Sequence, residues 1–314
     1  MVSNRKKISN FLYKYGTVGY CIHQFIMKIY IGCKNLGTDK MVTVRKYKKI
    51  YKQKPNLINP MTLNEKILWL KLFVHKDFHT ICADKFMVRE YIKNKFGENY
   101  LIPLLFETKN WKDITYNVIP NESCIIKASH TQGDMLVIKD KSKVDIKKLR
   151  FDCRTWLNRN LYNETQEWQY KNCTPRIIIE KLLQTHDGYI PNDYKLHFFN
   201  GHLKFVYCSV GRETVNKRNI YDADWNPLYF SWVEASKDPS NIRGEEIPAP
   251  ATFQEMKRLG GIVAKKFDYV RVDFYDVDGK LYFGEITLHH GSGFDVFVPQ
   301  EYDVKYGQQL TLSK

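Results

Sequence analysis

Tyr269-Val270-Arg271-Val272-Asp273-Phe274-Tyr275-Asp276-Val277-Asp278-Gly279-Lys280-Leu281-Tyr282-Phe283-Gly284-Glu285-Ile286-Thr287 sets two runs rich in Val, Phe, Tyr and Ile on either side of an Asp-Gly pair. Asp-Gly between apolar runs is a strong hairpin signal, because both residues accept the positive φ of a tight two-residue turn. The pattern predicts strands over 269–275 and 280–286, with Asp273 and Glu285 on neighbouring positions of one sheet face. Two carboxylates that close repel each other and usually share a cation. Hard oxygen donors of this kind suit Mg²⁺, with nucleotide phosphates completing its shell. A cross-strand pair of solvated acids on an ordinary hairpin would give the same pattern.

Further back, Cys124-Ile125-Ile126-Lys127-Ala128-Ser129-His130-Thr131-Gln132-Gly133-Asp134 ends an apolar strand on a lysine, ahead of a small polar turn. That is what a phosphate clamp requires: an ammonium beside a nest of backbone N–H groups. An edge-strand lysine before a loop is the plainer alternative. Ile177-Ile178-Ile179-Glu180-Lys181-Leu182-Leu183 is a nearly all-apolar strand with a polar end. It would serve either as a buried strand or as an adenine site offering backbone hydrogen bonds and one carboxylate.

Strands are also predicted over 123–128, 176–183, 194–199 and 203–210, with a second hairpin at Asn200-Gly201. Hairpins favour antiparallel pairing, unlike a doubly wound parallel sheet. Thr62 and Glu65 form a capping box for a helix carrying Ile67, Leu68, Leu70 and Leu72. Helices are expected over 83–94 and 252–266, and a loop over 238–250 with its three prolines. Residues 1 to about 55 form a basic helical preface, with Arg5, Lys6, Lys7 and Lys14 ahead of Phe25, Ile26, Ile29, Tyr30 and Ile31. Arg45, Lys46, Lys48, Lys49, Lys52 and Lys54 follow them. It reads either as a helix packed on the core with a solvated basic face, or as an amphipathic segment resting on anionic lipid.

The order of these pieces resembles the ATP-grasp superfamily, and most of all its TupA-like branch of polysaccharide and teichuronopeptide biosynthesis proteins. The resemblance runs from Leu63-Asn64-Glu65-Lys66 and Ala83-Asp84-Lys85 through Lys127-Ala128-Ser129-His130, Glu180 to Leu183, Asp193-Tyr194-Lys195 and Phe198 to Gly201. It continues over Tyr221 to Asn226, Arg271 to Phe274, Gly284 to Thr287 and Gly291 to Phe294. It implies an α+β fold: two α/β subdomains with largely antiparallel sheets gripping ATP, behind the basic helical segment. The corresponding division is 1–60 for that segment, 61–122 for an N-terminal subdomain, 123–183 for a nucleotide-gripping subdomain and 184–314 for a metal-binding subdomain.

Carried over by motif, Lys85 and Lys127 would contact phosphates, and Ser129, His130 and Gly133 would belong to a mobile lid. Glu180 would meet the adenine amino group, Lys181, Leu182 and Leu183 would form the hinge, and Asp193 or Lys195 would lie near ribose or phosphates. Asp273, Glu285 and Thr287 would hold one or two Mg²⁺ ions; Thr287 stands where many relatives carry Asn. Arg271 would stabilise an acyl phosphate and the tetrahedral intermediate that follows. The implied activity is ATP-dependent joining of a carboxylate to an amine, here a sugar acid and an amino acid or amine in surface polysaccharide assembly. Beyond the γ-phosphate, His289 and His290 would move protons or order a loop, and Arg212, Arg218, Ser292 and Asp295 would face the acceptor.

The chain has 49 Lys and Arg against 34 Asp and Glu, a formal charge of +15. That excess attracts nucleotide phosphates, anionic lipid, nucleic acid or acidic polysaccharide alike. A content of 43% hydrophobic and 14% aromatic residues excludes a disordered chain. The seven cysteines show no CxxC pair, which argues against a zinc site or a disulfide framework. With polar residues breaking the apolar stretch 15–31, neither a signal peptide nor a transmembrane helix is expected. A cytoplasmic protein, touching the inner membrane face at most, with no specific nucleic-acid partner, fits best. Rival readings are a kinase using the same grip and a glycosyltransferase reading Asp222-Ala223-Asp224 as an acidic motif; a structural turn is the preferred account of that triplet.

Overall fold

The computed structural model describes residues 2–211, 216–238 and 242–313. The chain opens with helices α1 (Val2–Leu12), α2 (Gly16–Lys34) and α3 (Asp39–Tyr51), the helical preface expected. Helix α4 (Leu63–Phe73) starts at the predicted capping box. Thr62 Oγ1 accepts from Glu65 N at 3.2 Å, and Glu65 Oε2 accepts from Thr62 N at 3.2 Å. The single helix expected over 83–94 is instead two: α5 (Asp77–Ala83) and α6 (Met87–Phe96). Asp84 is the reason, since its Oδ1 accepts from Phe86 N at 2.8 Å and Met87 N at 3.3 Å, ending one helix and starting the next.

Then follow β1 (Leu104–Thr108), β2 (Cys124–Ala128), β3 (Met135–Ile138), α7 (Ile146–Leu157), α8 (Tyr162–Thr165) and β4 (Ile177–Lys181). Strands β1, β4, β2 and β3 make an antiparallel sheet in that order. Its Ile126, Ile177 and Ile179 pack on Leu149 and Cys153 of α7. Because β1 pairs with β4, residues 104–108 share a sheet with the segment expected to start at 123.

The remainder is β5 (Asp193–Phe199), β6 (His202–Val210), β7 (Lys217–Tyr221), β8 (Pro227–Leu228), β9 (Ser231–Val233), α9 (Phe253–Ala264), β10 (Tyr269–Val277), β11 (Lys280–Thr287), β12 (Val296–Val298) and α10 (Glu301–Gln308). Six of these strands form a second antiparallel sheet, β11-β10-β5-β6-β7-β8, and β9 pairs with β12. Both predicted turns form: φ is 48° and 83° at Asn200 and Gly201, and 52° and 83° at Asp278 and Gly279.

The larger sheet is buried on both faces. Leu196, Phe198, Val270 and Val272 pack on α9 and α6, while Phe199, Phe205, Tyr207 and Tyr269 pack on α4, α10 and β12. The second face also carries the charged residues, because side chains alternate across a strand. Asp273 lies opposite Lys195, and Arg271 opposite His197.

Candidate active site

Between β10 and β11 the register shifts: Val272 pairs with Ile286, but Phe274 pairs with Phe283. Gly284 and Glu285 therefore oppose the single residue Asp273, a bulge that re-aims side chains. A Cβ at Gly284 would lie 3.0 Å from Asp273 O and 3.2 Å from the Tyr275 ring, so the close approach favours glycine.

Arg271 closes the site. Its Nε and Nη2 donate to Asp273 Oδ1 and Oδ2 at 2.7 and 2.6 Å, a bidentate fork, and Nη2 also donates to Glu285 Oε1 at 2.7 Å. Nη1 lies 2.9 Å from His290 Nδ1 and donates to it, so His290 carries its own proton on Nε2. The two acids predicted to meet thus do meet, and the cation they share here is a guanidinium. Lys195 pairs with Asp193 and stands 3.7 Å from Asp273 Oδ2. Thr287 Oγ1 donates to Glu285 Oε1 at 3.2 Å.

The pair is electrostatically unequal. Burial pushes the Asp273 carboxyl well above the usual range despite Arg271 and Lys195, and the like charges of Asp193 and Glu285 push it further. Burial also acts to raise Glu285, but Arg271, Lys85, Lys195 and the Thr287 hydrogen bond outweigh it and bring it down to about 2. Burial opposes the Arg271 charge too, and Asp273 and Glu285 overcome that.

Lys85, in the link between α5 and α6, lies within electrostatic reach of Glu285 and of Lys127, which stands on β2 of the other sheet. Lys85 is lowered first by burial, and Glu285 is the strongest influence holding its charge. Its Nζ donates to Thr131 O at 2.6 Å. Lys127 Nζ lies 2.5 Å from Glu180 Oε2, whose other oxygen accepts from Arg89 Nη1 at 3.0 Å. Glu180, expected at an adenine edge, is thus neutralised on both oxygens. The Leu182 N–H, expected at the hinge, donates to Ser123 O at 3.0 Å. Lys181 is half-exposed and pairs with Glu122 at 3.4 Å.

The turn at 129–133, where a lid is expected, is held by several hydrogen bonds. Ser129, His130 and Thr131 are buried. Ser129 N donates to Arg176 O at 2.9 Å, His130 Nε2 sits 3.1 Å from Trp156 O, and Thr131 Oγ1 donates to Asp134 Oδ2 at 2.7 Å. Arg159 Nη1 donates to both Gln132 O and Asp134 Oδ2, at 3.0 and 2.7 Å. Gly133, at φ 76°, makes the bend.

On the acceptor side the expected residues separate. His290 touches Arg271, and burial followed by Arg271, Lys195 and Arg218 keeps it neutral. His289 faces Gln169 Nε2 at 3.1 Å and Glu167 at 3.6 Å, away from the acids. Ser292 is structural, its carbonyl and hydroxyl accepting from Lys71 Nζ at 3.1 and 3.4 Å. Asp295 uses its carbonyl to take hydrogen bonds from Tyr51, Asn64 and Trp232, and burial raises its carboxyl to about 6. Arg218 Nη1 donates to Tyr207 OH at 2.9 Å, and Arg212 lies outside the described residues. Asp222 Oδ1 accepts from Asp224 N and Asn226 N at 2.9 and 2.8 Å, so the Asp222-Ala223-Asp224 triplet is a structural turn.

Arg89, Lys71 and Glu167 carry no mark in the sequence as site residues, with one exception. Lys71 is a lysine inside the apolar run of α4, now fully buried and lowered by desolvation to about 7. Arg89 and Glu167 left no signal, since their partners are distant in sequence.

A family model described as TupA-like ATPgrasp matches residues 65–311. No curated protein matches the chain. Among solved structures, D-alanine–D-alanine ligase from Bacillus anthracis is similar at 15% identity over 66% of this chain and 56% of that one, with TM-score 0.34. The Helicobacter pylori D-alanine–D-alanine ligase is similar at 13% identity over 79% and 65%, with TM-score 0.39. D-cycloserine synthetase DcsG is similar at 11% over 73% and 71%, with TM-score 0.38. The chain spans little more than half the length of the first of these. Likenesses this slight carry no residue or activity across, whereas the family match covers most of the chain and the hairpin, lysine strand and Glu180 strand it contains. The chain belongs to the TupA-like ATP-grasp family.

Proposed function

We propose that the chain is an ATP-dependent carboxylate–amine ligase that works through an acyl phosphate. It would attach an amino acid or amine to a sugar acid in surface polysaccharide assembly. The carrying observation is the shared guanidinium: Arg271 between Asp273 and Glu285, with the Lys85 ammonium a second positive charge acting on Glu285. The nucleotide would lie between the units 123–183 and 184–314, its phosphates near Lys85 and Lys127.

The donors fit a hard divalent cation. Burial holds the Asp273 carboxyl up, with the like charges of Asp193 and Glu285 adding to it, and Asp193 Oδ1 has no hydrogen-bond partner. Asp273 and Glu285, with Thr287 beside them, would hold one or two Mg²⁺ ions, which neutralise phosphate oxygens when bound. Arg271 would keep its charge throughout and steady oxyanions at the reacting carbon. Lys127 would exchange Glu180 for phosphate while Arg89 keeps Glu180 neutralised.

A cleft of about 320 Å³ on the acceptor side supports an anionic, ring-bearing acid. Arg218 and Arg243 line it with Tyr207, Tyr229, Phe230 and Trp232. Its Trp232 wall lies 4.2 Å from the His290 ring, which in turn meets Arg271. Residues 1–55 would rest on anionic membrane at the cytoplasmic side, near a lipid-linked acceptor.

The test is incubation with ATP, Mg²⁺ and panels of sugar acids and amines, read by ADP release and product mass. A ligase liberates phosphate and gives an amide that is absent with Asp273→Asn. Phosphate retained on the product, or full turnover by Asp273→Asn, overturns the reading.

A further inference from the structure

Helix α2 exposes its apolar face. Val18 is 65% exposed, Ile22 42%, Phe25 65% and Ile29 51%, and these stand at helical spacing along one side. Phe11 and Tyr15 before the helix are 63% and 56% exposed, and Leu36 and Met41 beyond it 65% and 55%. The docked edge lies about 100° round the helix, one residue on from Val18 and Ile22, where Gly19 and His23 are buried. The helical pair is held on the body by polar and aromatic groups. Arg5 pairs with Glu164 at 2.8 Å, Ser9 Oγ donates to Asp152 Oδ1 at 2.9 Å, and Arg154 lies 3.6 Å over the Tyr20 ring. A packing helix with a solvated basic face would show the reverse arrangement.

Charge is segregated in the same place. Residues 1–60 hold thirteen Lys and Arg against the single acid Asp39, which is +12 of the chain's +15. Lys7, Lys14, Lys28 and Lys40 are exposed around the stripe. Among the described residues no helix is long and apolar enough to cross a membrane. An apolar face ringed by lysines is the pattern of a helix lying in the interfacial plane of an anionic bilayer. A second copy of the chain would bring a like-charged +12 segment against its twin, which repulsion disfavours.

We infer that the face formed by Phe11, Tyr15, Val18, Ile22, Phe25 and Ile29 docks on an anionic lipid surface, its side chains entering the headgroup boundary while the flanking lysines pair with lipid phosphates. This deepens the membrane contact proposed for residues 1–55. It needs no nucleotide, so its failure leaves the ligase reading untouched.

The test is flotation of the full chain with phosphatidylcholine vesicles, either pure or containing roughly a third phosphatidylglycerol. Binding is expected only to the anionic vesicles. Raising the salt from about 0.1 M to about 1 M, which shortens the screening length from ~10 Å to ~3 Å, should release the chain. Val18→Ser with Phe25→Ser should lower the partition coefficient at least ~10-fold, and Lys14→Gln and Lys28→Gln about 5-fold each. Circular dichroism checks that the variants keep their helices. Unaltered binding by the serine variant, or equal binding to neutral vesicles, overturns the inference. So does a dimer seen by light scattering that the serine substitutions abolish, since a second copy would then cover the face.

Discussion

Arg271→Met removes the guanidinium that hydrogen-bonds both acids, and its cost follows from the bonds it makes. Three of them, to carboxylate oxygens at 2.7, 2.6 and 2.7 Å, disappear together with the one to His290. Breaking a buried ion pair from one side costs roughly 3–5 kcal/mol, because it strands the remaining charge. Asp273 softens this by taking a proton, as burial already pushes its carboxyl up, and Glu285 keeps a side chain 35% exposed. The lower end, about 3 kcal/mol, is therefore expected, which is a fall in Tm of roughly 4–5 °C for a chain of 314 residues. Mg²⁺ should then stabilise the variant more than the parent, because the guanidinium no longer competes for Asp273 and Glu285. A tenfold excess over Kd returns about 1.4 kcal/mol by mass action. Thermal unfolding with and without millimolar Mg²⁺ measures both effects. Arg271→Met combined with Asp273→Asn should show no Mg²⁺ response. A response in the double variant equal to that of Arg271→Met, or an unchanged Tm in Arg271→Met itself, refutes the cation-sharing argument.

Lys71 gives a pH signature. Burial lowers its ammonium to about 7, so between about 7 and 10.5 the unfolded chain binds the proton and the folded one does not, and stability rises with pH across that window. The gain from pH 7 to 9 is about 2 kcal/mol at ~1.36 kcal/mol per unit, and urea unfolding of Lys71→Met should lose that slope. Lys127→Ala should weaken ATP binding by at least ~10-fold in calorimetry while Arg89 keeps Glu180 neutralised; unchanged affinity removes Lys127 from the phosphate site.

Much of the larger sheet was legible because its turns are chemically explicit. Asn200-Gly201 and Asp278-Gly279 allow few other conformations, and the runs around them became β5, β6, β10 and β11. Strands β1, β3, β7, β8, β9 and β12 were not legible. Each has two to five residues, too few for alternation to stand out, and pairing rather than local preference makes them strands. Helix α7 stayed hidden for a related reason, since charges interleave its buried Leu149 and Cys153. The acids of the site were visible through hairpin geometry, while the identity of their cation was not. Arg271 stands two residues before Asp273, on the same face, but its reach to Glu285 and His290 depends on the bulge at Gly284.

The N-terminal segment marks where periodicity stops deciding. An apolar stripe at helical spacing reads identically whether it faces a core or solvent, since spacing sets the angle between residues and not the side on which the body lies. Gly19 settles the side. A Cβ there would fall 1.9 Å from Leu12 O, so α1 and α2 approach each other along the glycine edge, which also carries the buried His23. With that edge committed, the stripe from Val18 to Ile29 turns outward. The hydrophobic effect acts against leaving it in water, by roughly 25 cal/mol for each Å² of apolar surface. Docking on a bilayer would recover that cost, and the lysines around the stripe would make the bilayer an anionic one.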